Sequence, residues 1–339
     1  MASVKETSEW APKDIDLSRP AVARMYDYLL GGAHNFAVDR AAADQAIAAL
    51  PFLRAVAHAN RHFLRRVVQF FAAEGVDQFL DLGSGIPTVG NVHEVAQATN
   101  AGARTVYVDV DPVAVAHARA VLCDDPTSEA ILADLRHPRG VFEDPAVRRL
   151  IDWKRPVAVL MVAVLHFVPD EDDPYGVVAA YREQMAPGSY LALSHASRDD
   201  QPEDMDEAVD QAVRAYDDTG TGLVFRTTGQ LAELLDGFVS VEPGIVPVPH
   251  WRPEPPGESA NEGPWRHGLA AVGHVTARMP RGETRGASPR TRNTGLWPPN
   301  SRLSRQAEPP VGRPTGVPAG HLQPTLRSDT SASRDHHDH

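Results

Sequence analysis

Apolar residues along the chain fall into two registers. Between Val76 and Thr276, short β-rich runs alternate with segments whose apolar positions recur at helical spacing, which is the pattern of a parallel sheet with crossover helices. Strands are expected at 77–82, 104–110, 129–133, 156–165, 188–196, 238–246 and 268–276, and helices at 89–98, 112–122, 145–151, 174–185, 202–216 and 228–235. Several helical segments open with Asp followed by Pro, a side chain that accepts a first-turn amide and a ring whose φ suits that turn. No long helix separates the last two strands, so they are expected to pair antiparallel at one edge.

Three helical segments precede the sheet, at 20–30, 36–50 and 52–74. In the third, Val56, Phe63, Val67 and Phe71 form one apolar stripe, and helical geometry puts Asn60 in its middle. A buried amide needs partners, either backbone in the core or a ligand. Arg61 beside it reads as a solvated residue unless it meets a ligand carboxylate. Between the first two helices runs YDYLLGGAHNF, where Gly31 and Gly32 end one helix and Asn35 caps the next. Tyr26, Tyr28, Asn35 and Phe36 gather around that break.

Composition narrows the class. The chain has 339 residues, 42% of them hydrophobic, enough for a sizeable core, and its longest apolar run, 157–168, is too short to span a bilayer. A soluble, unexported, cytoplasmic protein is expected. Cys123 is the only cysteine, which excludes an internal disulfide or a cysteine-based metal cluster. Residues 278–339 carry ten arginines against five acids, or +5, which leaves −17 of the net −12 for residues 1–277. The folded part is thus acidic and not expected to bind nucleic acid. The tail, rich in Pro, Arg and Ser, reads as disordered and basic, and residues 1–13 as flexible.

The loops after the first three strands carry the chemistry. FLDLGSGIPT places Asp81, Gly83, Ser84 and Gly85 between a buried strand and a helix, where glycines let a ligand approach the backbone. A tight turn alone would explain the glycines as well. The second strand ends in YVDVDP, so Asp109 can accept the two hydroxyls of a ribose while Asp111 caps the helix that Pro112 opens; Asp134, in ADLRHP, is placed to accept from an adenine amino group. Position 88 is Thr where a dinucleotide fingerprint has its third glycine, and no Gly-Lys-Ser/Thr of a P-loop follows. An acidic loop with no phosphate cradle suits S-adenosylmethionine (SAM), whose amino group would meet Asp81.

FLDLGSG, VYVDVDP and ADLRHP resemble the cofactor motifs of class I SAM-dependent methyltransferases. More narrowly, RMYDYLLGGAHNFAVDR, ANRHFLRRVV, DLGSGIPT, VYVDVDPVAVAHAR, ADLR and VLHFVPD resemble the mainly actinobacterial S-adenosyl methyltransferase family long catalogued as a domain of unknown function. The resemblance runs from about residue 19 to 276. It implies a Rossmann-like, doubly wound, seven-stranded α/β domain over 14–277, divided into a helical cap (14–75) and a core (76–277). It also implies Val110 and Leu135 on the nucleoside side. The segment holding Tyr28, Gly32 and Asn35 is expected to form a lid over the donor, with Asn60 beneath it.

His166, in VLHFVPD after the fourth strand, is the candidate general base, with a pKa near working pH; His195 is a weaker version of the same reading. The acids of PDEDDP are expected to serve the helix that Pro174 opens rather than a metal. The methyl acceptor is expected to be a small molecule. Two rival readings remain: a SAM-binding sensor or scaffold without transferase activity, and a nicotinamide-dependent oxidoreductase, which Thr88 disfavours.

Overall fold

Burial on both faces dictates the centre of the sheet. A computed structural model describes residues 16–88, 90–199, 203–253 and 268–277. Strand β1 (Gln78–Leu82) is buried throughout and pairs in parallel with β2 (Arg104–Asp109) and β4 (Ala158–Val162). Outside them lie β3 (Ser128–Leu132), parallel to β2, and β5 (Tyr190–Ala196), parallel to β4. Strand β8 (Gly268–His274) runs antiparallel to β5 and also pairs with the short β6 (Val239–Ser240) and β7 (Val246–Pro247). The order β3-β2-β1-β4-β5-β8-β6 reverses direction between β1 and β4, and the crevice beyond those strand ends is where such sheets bind ligands.

Two expectations change. The run 238–246 is not one strand but two dipeptides, because Pro243 has no N–H to give the ladder and Gly244, at φ +86°, turns the chain back to Val241. Among the described residues the sheet therefore has eight strands. The last strand does pair antiparallel with its predecessors, yet it lies inside the sheet, between β5 and the β6/β7 edge. The expected flexible start at 1–13 and disordered basic tail at 278–339 lie outside the described residues.

Helices cover both faces. Alternation along β1 sends Leu80 and Leu82 to one face, against α7 (Pro145–Leu150), α8 (Pro174–Gln184) and α10 (Thr228–Leu234), and Phe79 to the other, against α3 (Leu53–Ala73), α4 (Val92–Thr99) and α5 (Pro112–Val121). A short helix that the sequence pattern did not suggest, α6 (Pro138–Glu143), adds Val141 to the first layer. The Asp-Pro starts fold as their chemistry requires: Asp111, Asp144 and Asp173 accept from the amides of Val113, Ala146 and Gly176. A third apolar cluster joins α1 (Val22–Leu29) and α2 (Ala37–Ala49) to α9 (Asp206–Asp217).

Candidate active site

A cavity of about 620 Å³ opens beyond the carboxyl ends of β1, β2, β4 and β5, roofed by α1, the first half of α3, and α9. At its floor Gly83 has φ +70°, and a Cβ there would overlap Val164; Gly85 has φ +65°, with open space where a Cβ would stand. The chain can pass so close to the loop after β4 only because Gly83 has no side chain, and both glycines take a positive φ that other residues rarely adopt.

Asp109 is oriented by two amides. Gly85 N donates to its Oδ2 at 2.7 Å and Asp111 N to its Oδ1 at 2.8 Å, which leaves further lone pairs on both oxygens. Burial lifts its pKa to about 6 against those bonds. Asp81 is only 4% exposed, and its carboxylate takes no hydrogen bond among the described residues. Burial raises its pKa to about 7, with the Arg61 charge opposing and Asp109 adding to the rise. Arg61 lines the same end: its Nη2 donates to Asn91 Oδ1 at 3.1 Å, while its buried Nε has no partner among the described residues. The sequence offered one signal for Arg61, its position beside Asn60 on a helix that crosses the strand ends.

Asn60 has side-chain partners. Its Nδ2 donates to Tyr26 Oη at 3.0 Å and its Oδ1 accepts from Ser194 Oγ at 2.5 Å, so it ties α1, α3 and β5 together at the cavity wall. Ser84, Val110 and Leu135 also line the cavity; Val110, 61% exposed, offers apolar surface beside Asp109.

Four expected site residues are not brought there. Both carboxylate oxygens of Asp134 are held by Arg136, which also binds Asp172. Tyr28 donates to Asp44 and lies under the Arg54 guanidinium. Gly32 and Asn35 serve Asp27 instead: Asn35 Nδ2 donates to its carboxylate at 2.8 Å, and a side chain on Gly32 would overlap that carboxylate. Of the expected lid, Tyr26 and Leu29 line the cavity, while the segment after them folds back over α1's own end.

His166 lines the cavity, and its Nδ1 accepts from Ala196 N at a long 3.4 Å, so in the neutral ring the proton sits on Nε2. Burial first, then His195 and Arg226, hold its pKa well below the usual value. The expectation of a base with a pKa near neutrality is not met. His195 is fixed as well: Arg226 Nη1 donates to its Nε2 at 2.9 Å, its Nδ1 donates to Ala196 O at 2.7 Å, and burial depresses its pKa to about 4. Arg226, 1% exposed, also donates to Leu165 O, Val168 O and Asp170. Asp170, Asp172 and Asp173 of the acidic run are thus engaged by Arg226, Arg136 and the α8 amides. Among the described residues no group of three or more His, Cys, Asp or Glu is placed to hold a metal, and no helix is long and apolar enough to cross a membrane.

The family model described as S-adenosyl methyltransferase matches residues 8–276. A solved structure from Thermobifida fusca YX, assigned as a methyltransferase, is 42% identical over 80% of this chain and all of its own, with a TM-score of 0.74. A DUF574 family protein from Streptomyces avermitilis is 34% identical over 77% of this chain and 99% of its own, with a TM-score of 0.72. No protein of curated function matches the chain. The chain belongs to the S-adenosyl methyltransferase family, and its activity is SAM-dependent methyl transfer.

Proposed function

We propose that this member of the S-adenosyl methyltransferase family moves the methyl group of SAM to a small molecule bound inside the cavity, with the donor held at the ends of β1 and β2. One observation carries the placement: a buried carboxylate and a guanidinium stand together at that end of the cavity, Asp81 and Arg61, and the Arg61 Nε has no hydrogen-bond partner among the described residues, a pair complementary to the ammonium and carboxylate of an amino-acid tail. The other residues fit the rest of the donor. Asp109 has lone pairs left for ribose hydroxyls, Gly83, Ser84 and Gly85 let a ligand approach the backbone, and Val110 and Leu135 give apolar surface to a purine. Asn60, through Tyr26 and Ser194, holds the wall in place.

When bound, SAM supplies a methyl group on a cationic sulfur, an electrophile that needs no further activation. The chain's task is to align the acceptor and exclude water. His166, neutral and with Nδ1 engaged, has its Nε2–H to offer, so we assign it the role of a hydrogen-bond donor that orients the acceptor. A small acceptor is supported by the cavity, whose volume is in the range of small-molecule sites. Titration calorimetry with SAM tests the placement: Asp109→Ala should weaken binding by about tenfold or more, or ~1.4 kcal/mol. Unchanged affinity removes Asp109 from the donor site.

A further inference from the structure

The cavity is chemically divided. Its charged lining residues are Asp81, Asp109, Asp111, Arg24 and Arg61 around the strand ends, with Asp16 and Arg19 beside the last turn of α9, whereas α9 and the start of α3 bring the apolar cluster of α1, α2 and α9 to the wall. Leu53, Phe52, Val209, Val213, Phe167 and Phe225 bring that cluster to the cavity wall, and none of them carries a polar side-chain atom. An ion placed among them would lose its hydration without compensation, while a flat ring would find aromatic and aliphatic surface.

The titratable groups packed against this wall, His166, His195 and Tyr216, have little capacity to take a proton. The single lone pair of His195 receives Arg226, that of His166 receives the Ala196 amide, and burial keeps the Tyr216 phenol protonated up to about 12. Arg226, buried behind His195 and paired with Asp170, opposes protonation of both histidines. The nucleophile must therefore be one that attacks without first losing a proton and that enters uncharged. Aliphatic amines enter as ammonium ions, and hydroxyls need a base; an aromatic amine meets both conditions.

We infer that the methyl acceptor is an uncharged aromatic amine, its ring seated between α9 and the start of α3 and hydrogen-bonded by His166. This rests on the methyl-transfer reading of the same cavity. The nitrogen lone pair forms the new N–C bond while the S–C bond breaks with its electron pair left on sulfur, and the resulting ammonium centre then loses one N–H proton to water.

Three quinolines that differ in one group test this on the full-length protein: 5-aminoquinoline, 5-hydroxyquinoline and quinoline-5-carboxylate, at about pH 8, where the amine is neutral. Calorimetry on protein saturated with S-adenosylhomocysteine (SAH) should show the two neutral compounds binding and the carboxylate at least about tenfold weaker. With SAM, the amine should be methylated at least about tenfold faster than the hydroxyl compound. Val213→Trp, which fills the apolar end, should cut 5-aminoquinoline affinity by about tenfold and leave SAH affinity within about twofold. The inference is overturned if the carboxylate binds as well as the amine, if the hydroxyl is the better acceptor, or if neither neutral quinoline binds to protein that binds SAH. Protein that fails to bind SAH overturns the donor-site reading itself, and the two failures are thereby told apart.

Discussion

An almost fully buried carboxylate is costly to ionise, and Asp81, which takes no hydrogen bond among the described residues, is in that state, with a pKa of about 7 against 3.8 for the free side chain. Between those two values the folded chain holds a proton that the unfolded chain has lost. Asp81 therefore contributes stability that is complete below about pH 4 and is lost as pH rises through about 7. Asp81→Asn should raise the melting temperature of the ligand-free protein at about pH 8 by a few degrees, and by less as the pH is lowered. A donor ammonium needs the ionised form, so SAH affinity of the wild type should strengthen between about pH 6 and 8, and the Asn variant should lose both that slope and about tenfold in affinity. A flat calorimetric pH profile for the wild type would contradict the assignment. The sequence placed Asp81 and the glycines that follow at the edge of this cavity because Asp and Gly at the end of a buried strand have few other uses, and the structure puts Asp81 within β1 and the glycines just after it. Asp134 was not legible, since nothing in the sequence says that Arg136 folds back on it.

At the scale of elements, the paired glycines end α1 as the sequence suggests, whereas Asn35 does not cap α2: Phe36 holds that position, its amide donating to Asp39, and Asn35 turns to Asp27. Gly31, at φ +82°, ends α1, and Gly32 N returns to Asp27 O at 2.8 Å, which is the helix stop the sequence suggested. What only the structure reveals is that the buried Asp27 carboxylate occupies the space a Gly32 side chain would need, and gathers the His34 amide and Asn35 Nδ2 to fasten the α1–α2 connection. The segment is a clamp beside the cavity, with Tyr26 as its contribution to the wall. Gly32→Ala should then destabilise the fold by about 1–3 kcal/mol, through overpacking of a buried carboxylate, and leave SAH affinity of the folded protein within about twofold. Lost SAH affinity at unchanged melting temperature would restore the lid. The interrupted strand shows the same limit: β-rich residues make 238–246 look like one run, although Pro243 and Gly244 inside it break the ladder.

For the whole molecule, the question is whether residues before the first strand form a separable cap. The length of α3 argues that they do not. Its lower stripe, Phe63, Val67 and Phe71, is fully buried in the layer that covers β1, β4 and β5 and meets the buried Trp251, whose carbonyl Arg66 holds at 2.9 Å. Its upper part, with Asn60, Arg61 and Ala57, lines the cavity. The α1 and α2 helices in turn share an apolar cluster with α9, which follows β5 in the chain, and Arg24 pairs with Asp39 at 3.1 Å in full burial. Cap and sheet therefore have no surface along which they part without exposing large aromatic residues. We predict a single calorimetric unfolding transition for the described region. SAH at about a hundred times its dissociation constant should move that whole transition upward by about 2.7 kcal/mol, or roughly 5–10 °C. An earlier transition that SAH leaves in place would show instead that α1 and α2 melt on their own, and that the cavity roof forms independently of the site it covers.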